Sequence, residues 1–183
     1  IRNAVCGAFD APVYIIGKEL YIPITNFYSS PKKIGQDRLL GAYAAMQLYG
    51  APVIVIDLGT AVTIDLVSRK REYLGGLILP GLGISLSALH RYTSCLPKVK
   101  LAKPKSLIGK DTVECMLSGV TFGFGCLIDG LVRKLKRQLG PGAKSIATGG
   151  DALFIKGYCN EIDYFKSDLL LKGIRELAKL LPK

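Results

Sequence analysis

The run V-I-V-I-D-L-G-T-A-V-T-I-D, Val53 to Asp65, decides how the rest of the chain is read. Its β-branched opening, Val53 to Ile56, has the character of a buried strand. Asp57 closes that run, and Leu58, Gly59 and Thr60 follow. A second apolar stretch spans Ala61 to Val67, and beyond Ser68–Arg71 a third spans Tyr73 to Leu79. Strand, Gly-Thr turn, strand, short polar loop and strand predict an antiparallel meander.

A carboxylate at the end of a buried strand needs a positive partner. Gly59 lets a ligand approach the backbone closely, and Thr60 adds a hydroxyl and a main-chain N–H. Carboxylate, bare backbone and hydroxyl are the parts that a metal–nucleotide phosphate requires. The carboxylate meets the cation, and the N–H and O–H groups meet phosphate oxygens. A tight turn with Asp as turn former uses the same residues, so the short pattern alone leaves both readings open.

Outward from this stretch, Val13–Ile16 and Leu20–Ile24 flank Gly17-Lys18 as a hairpin signal, and residues 25–35 are turn-rich. A helix is predicted over Gln36 to Tyr49, stopped by Gly50 and Pro52. After the meander come a helix near Ile84 to Thr93, a Pro- and Lys-rich loop over 94–108, and a long helix from Thr112 to Leu139. Gly119, Gly123 and Gly125 inside that helix imply close backbone packing or an approach to another helix. Ser145–Ala147 is a short strand leading to Thr148-Gly149-Gly150, and a helix over Asp168 to Leu181 closes the chain. The order predicts an α/β fold with a mixed sheet.

The chain has 183 residues, enough for one domain or two small ones. With 49% hydrophobic and 21% charged residues, a disordered chain is excluded. The five cysteines (Cys6, Cys95, Cys115, Cys126, Cys159) form no C-x-x-C pair and read as reduced, buried thiols of a cytosolic protein. The single histidine, His90, reads as a surface residue of a helix. No signal peptide or membrane span is expected, since the apolar stretch Leu74 to Leu89 is short and broken by glycine and proline. The net charge of +11 gathers at Lys98–Lys110 and Arg133–Arg137. Neither patch has interleaved aromatics, and Arg133, Lys134, Lys136 and Arg137 read as the solvated face of a helix, with nucleic-acid binding the lesser reading.

Several motifs fall into one register: Y-x-x-P-x-x-I-G-x-D-R at Tyr28–Arg38, D-L-G-T-A-x-T-x-D at Asp57–Asp65 and Y-L-G-G-x-I-x-P-G at Tyr73–Gly81. S-x-x-A-L at Ser85–Leu89, L-P at Leu96-Pro97, G-K-D-T-V-E at Gly109–Glu114, S-G at Ser118-Gly119 and A-T-G-G at Ala147–Gly150 follow in order. From about Tyr28 onward this set resembles the type III pantothenate kinases. These belong to the actin-like ATPase superfamily, with ribonuclease-H-like lobes. The resemblance implies a ribonuclease-H-like mixed sheet flanked by helices, with the second lobe complete (52–183) and the first partial (1–51, carrying the substrate-binding segment). It also implies cytoplasmic, ATP- and Mg²⁺-dependent phosphorylation of pantothenate on the way to coenzyme A. A homodimer and a monovalent cation, K⁺ or NH₄⁺, belong to the same expectation.

Carried over by position, Asp37 resembles the family's proton acceptor. Tyr28, Gly35, Gln36, Asp37, Arg38 and Thr112 resemble its pantothenate contacts, Asp57 its cation ligand and Thr60 an ATP contact. At a helix start, the macrodipole favours an ionised Asp37. Arg38 offers a planar fork to a carboxylate or a phosphate. Asp37 as a helix N-terminal residue, Thr112 as an N-cap and Tyr28 as a packed loop aromatic are the structural alternatives. The family's opening D-x-G-N-T phosphate loop has no counterpart in these residues. The chain begins at Ile1 without methionine, and the expectation is that the start of the protein lies outside it. A non-catalytic nucleic-acid-binding or regulatory homologue on the same fold is the alternative function, and another kinase or a polyphosphate hydrolase of the superfamily a third.

Overall fold

A computed structural model describes residues 12–181. Its framework is one mixed six-stranded sheet in the order β1-β4-β3-β2-β5-β6. The meander is present as expected. β2 (Val53–Leu58) pairs antiparallel with β3 (Ala61–Val67), which pairs antiparallel with β4 (Glu72–Pro80). β2 also pairs in parallel with β5 (Lys144–Thr148). Two-residue strands finish the edges in parallel, β1 (Thr25–Asn26) on β4 and β6 (Tyr164–Phe165) on β5. Asp57 does not end its strand: β2 continues through Leu58.

Side chains alternate across a strand, so β2 serves two cores at once. Val53 and Val55, with Val67 and Ile146, face α1 (Gln36–Tyr49) and α5 (Leu169–Ala178), whose Leu39, Leu40, Met46 and Leu177 fill that side. Ile54, Ile56 and Leu58 face the other layer. That layer comprises α2 (Leu82–Arg91), α3 (Thr112–Leu139) and the short α4 (Ala152–Ile155). Helices thus cover both faces, which explains why β2 is a continuous apolar run. By length and composition α3 would suffice to cross a membrane. Half of its apolar window is buried, with Leu117, Ile128 and Val132 in the second core.

Four local expectations are corrected. The hairpin over Val13–Ile24 is absent: a turn at Gly17, with a single bridge between Ile16 and Leu20, stands in its place. These short apolar runs pack against the α1 core instead of pairing with each other. Close packing at the α3 glycines holds for Gly125, where a side chain would strike the Tyr158 carbonyl; Gly119 and Gly123 face open space. Thiols at Cys95, Cys115 and Cys126 are exposed; Cys159 is partly buried, which pushes its thiol up to about 12, and Cys6 lies outside the described residues. Finally, the N-cap of α3 is Asp111, whose carboxylate accepts the Glu114 N–H at 2.8 Å, and not Thr112.

His90 is exposed, as expected. On the basic face of α3, Arg133 pairs with Glu161 at 3.0 Å and Lys136 with Asp163 at 2.9 Å, so these charges fasten the segment before β6.

The β3–β4 ladder tolerates no side chain at Gly76. A methyl group there would collide with the Ile64 carbonyl and approach Asp65 Oδ1 to 3.0 Å. Gly76→Ala is therefore expected to destabilise the fold by about 1–3 kcal/mol. The measurement is a urea titration, in which the midpoint falls at constant slope.

Candidate active site

Asp57 of β2, Thr63 and Asp65 of β3 and Thr148 of β5 gather at one end of the α1-facing surface. Register places Asp57 opposite Thr63 on β3 and Thr148 on β5, and Val55 opposite Asp65. All of these share the face covered by α1, because paired residues on adjacent strands point the same way. Helix α1 begins over this end. Its N-cap is Gly35, and Asp37 lies in its first turn. A side chain on Gly35 would collide with Asp37 Oδ1, so glycine lets the carboxylate fold back over the helix start and accept the Arg38 N–H at 2.9 Å.

Asp65 and Arg38 form a buried pair. Arg38 donates Nε–H to Oδ1 at 3.0 Å and Nη2–H to the same oxygen at 2.7 Å. The Tyr73 hydroxyl donates to Oδ1 at 2.6 Å and the Thr63 hydroxyl to Oδ2 at 3.2 Å. Burial pushes the Asp65 carboxyl up, against the pull of Arg38, Tyr73 and Thr63. Burial works against the Arg38 charge as well, but the Asp65 hydrogen bond and charge outweigh it and the guanidinium is raised. We take the pair as ionised, because Arg38 keeps its proton at any ordinary pH and Arg38, Tyr73 and Thr63 all donate to the Asp65 oxygens. Tyr28 belongs to the same cluster. Its ring lies 6.5 Å from that of Tyr73 and over Gly75, and it supports the Arg38 charge.

Asp57 is the opposite case. Its half-buried carboxylate has no hydrogen bond or ion pair among the described residues. Burial pushes its pKa up, and the nearby charges of Asp37 and Asp65 push it further. Beside it the buried Thr148 hydroxyl has no hydrogen-bond partner among the described residues. A carboxylate that meets like charges and no donor among the described residues, next to a hydroxyl unpaired among them, fits a cation held by oxygen ligands.

Thr60 lies exposed at the β2–β3 turn. With Gly59, Gly83, Ile84, Ser87, Gly150 and Asp151 it lines a cavity of about 530 Å³. A side chain on Gly83 or Gly150 would meet nothing, so the backbone there is open to a ligand. The start of α2 adds N–H groups, since Gly81 caps it while donating its own N–H to the Thr60 carbonyl at 3.0 Å. A helix N-terminus beside bare glycine backbone and a hydroxyl suits the phosphates of a nucleotide.

Not every residue singled out from the sequence joins this cluster. Gln36 packs against Gly17 and lines a separate hollow of about 460 Å³ with Tyr21, Ile22 and Asn26. Thr112 is exposed at the first position of α3, on the face of the sheet opposite α1. Conversely, Thr63, Asp65, Tyr73 and Thr148 join the site although motif spacing assigns them no role. The available signal was polar residues at alternating positions of strands otherwise apolar.

A mixed α/β sheet with a nucleotide-compatible cavity and an acidic cluster at one end defines the class. The family model for type III pantothenate kinases matches residues 1–134, and the chain belongs to that family. It is 41% identical over 171 residues to the type III pantothenate kinase of Halalkalibacterium halodurans, covering 93% of this chain and 67% of that one. The relative from Desulfovibrio desulfuricans is 42% identical over 181 residues, covering 97% and 68%, and that from Rhodococcus opacus 47% over 150 residues, covering 80% and 55%. The chain thus spans between 55% and 68% of the length of these relatives. Among solved structures, a Campylobacter jejuni protein described as a Baf family transcriptional activator superposes with a TM-score of 0.60 at 23% identity, covering 86% of this chain and 68% of that one. This likeness concerns the fold alone.

The raised pKa of Asp57 has a sign that can be tested. A carboxyl with a folded pKa above its unfolded value contributes stability at low pH that is lost as pH rises through the folded pKa. Asp57→Asn removes that penalty and is expected to raise Tm near neutral pH by about 2 °C or more in cation-free buffer. The gain should shrink as pH falls toward the ordinary carboxylate range. Calorimetry against pH checks it, and a lower Tm for the variant at neutral pH contradicts it.

Proposed function

We propose that the protein transfers a phosphoryl group from ATP to the primary alcohol of pantothenate, giving 4'-phosphopantothenate, the first step of coenzyme A biosynthesis. The observation that carries this reading is the Asp57 carboxylate, unpaired among the described residues and beside Asp37, within the motifs of a chain that belongs to the pantothenate kinase family. Bound ATP with Mg²⁺ supplies the phosphoryl group. Phosphoryl transfer asks for positioning and charge neutralisation more than covalent chemistry, and the residues divide along those lines.

Asp37 takes the proton of the substrate alcohol, as a carboxylate within hydrogen-bond reach can. Arg38 meets an anionic group of the substrate through the donors not committed to Asp65. Tyr28 and Gly35 complete the pantothenate contacts, while Gln36, turned toward Gly17, reaches them only by leaving that hollow. Thr60 contacts ATP from the cavity that it lines with Gly59 and Gly150. Asp57, assisted by Thr148, holds the monovalent cation, K⁺ or NH₄⁺.

Thr112, on the opposite face of the sheet, serves as a substrate contact when supplied by a second copy, so the working form is a homodimer. The open hollow along α3, lined by Leu107, Ile108, Gly119 and Phe122, supports such pairing. We assign residues 1–51 to the remainder of a first ribonuclease-H-like lobe and 52–183 to a second lobe of the actin-like ATPase fold, with β1 and α1 of the first portion built onto the sheet of the second. We assign the reaction to the cytoplasm.

The test is turnover of the intact protein with ATP, Mg²⁺, K⁺ and pantothenate. Asp37→Asn is expected to lower kcat by about 10²–10⁴-fold while pantothenate binding persists. Wild-type turnover retained in this variant would refute the assignment of the base.

A further inference from the structure

We infer that Asp65 is a positioning residue of the reaction: it holds the Arg38 guanidinium in one orientation beside Asp37, presenting the uncommitted N–H groups to the anionic part of the substrate. The inference rests on the proposed reading of Asp37 and Arg38 as substrate-facing residues and extends it to a residue that touches no substrate itself.

The geometry is closed on the Asp65 side. Only 2% of Asp65 is exposed and 9% of the Arg38 side chain. Both Asp65 oxygens are filled, Oδ1 by Arg38 and Tyr73 and Oδ2 by Thr63, with Arg38 Nε a further 3.4 Å from Oδ2. These partners come from α1, β3 and β4, so the carboxylate cannot turn without breaking bonds to all of them. Arg38 is open by comparison. Of the donors of a guanidinium, Nε–H and one N–H of Nη2 are committed, which leaves Nη1 and the second N–H of Nη2 for Tyr28 and a ligand.

Stability does not account for such a pair. Desolvating two charges opposes their attraction, and apolar replacements of similar volume often serve a fold as well. Orientation does account for it, because a planar fork recognises a carboxylate or phosphate only when its plane is set. The backbone carries the same constraint to the base, since the Arg38 N–H is the group that donates to Asp37.

The test compares wild type with Asp65→Asn in the intact protein. kcat/KM for pantothenate is expected to fall about tenfold or more. KM for ATP should stay within about twofold, with cooperative unfolding retained. Asp65→Asn combined with Arg38→Lys should lose little beyond Arg38→Lys alone, as for residues acting as a unit. Nitrogen-resolved NMR supplies a readout independent of turnover: a slowly exchanging Arg38 Nε–H resonance in wild type that vanishes in Asp65→Asn. Unchanged kcat/KM overturns the inference even if the resonance is lost, because Asp65 is then only a structural pin. Should wild type make no phosphopantothenate, the substrate reading falls separately, and an Arg38 resonance unaffected by Asp65→Asn overturns the positioning as well. If Asp65→Asn fails to fold, Tyr73→Phe and Thr63→Val, which keep the charge and remove one donor each, are expected to lower kcat/KM several-fold. No change in either variant overturns the inference.

Discussion

A buried carboxylate must be met by donors, and the way Asp65 is met organises one end of this molecule. Arg38 reaches it from the first turn of α1, Thr63 from its own strand and Tyr73 from the next. These bonds anchor the start of α1 over the sheet, as Leu39, Leu40 and Met46 anchor its length over Val53 and Val55. The helix therefore changes from apolar to polar contact where β2 and β3 do. The end at which Asp37 sits is held by hydrogen bonds and charge, and the remainder by apolar packing.

Asp57 occupies the same face of the same ladder with the opposite electrostatics. Asp65 has its donors built in, whereas Asp57 has like-charged neighbours and an orphaned hydroxyl at its side. Two carboxylates two rungs of chemistry apart thus divide the labour. One is met by donors within the fold; the other has none among the described residues. The turn that follows Asp57 continues the division, since Gly59 and Thr60 leave the sheet to line the cavity shared with the start of α2 and with Gly150.

Much of the framework was legible because it is local. The meander, α1 and α3 follow from periodicity, with glycine or proline at their ends, and their observed limits are Gln36–Tyr49 and Thr112–Leu139. The segment before them was misread because Val13–Ile16 and Leu20–Ile24 have the composition of strands but find their partners in the α1 core. β1 and β6 were invisible for a related reason. Two residues carry no period, and each strand exists only because a distant strand offers hydrogen bonds. The glycines of α3 and the cysteines also show that composition does not reveal which side of a helix another element covers.

The sequence by itself determined the α/β order, the motifs of the family and the candidacy of Asp37, Asp57 and Thr60. Local order and spacing are properties of neighbouring residues, and neighbours are all that a sequence displays. Tertiary structure alone decided which carboxylate is satisfied and which is not, that Thr148 stands beside Asp57, that Gln36 turns toward Gly17, and that Thr112 lies across the sheet from Asp37. Burial and hydrogen-bond partners are conferred by strands and helices distant in the chain, and the state of a charge depends on what surrounds it, not on what precedes it.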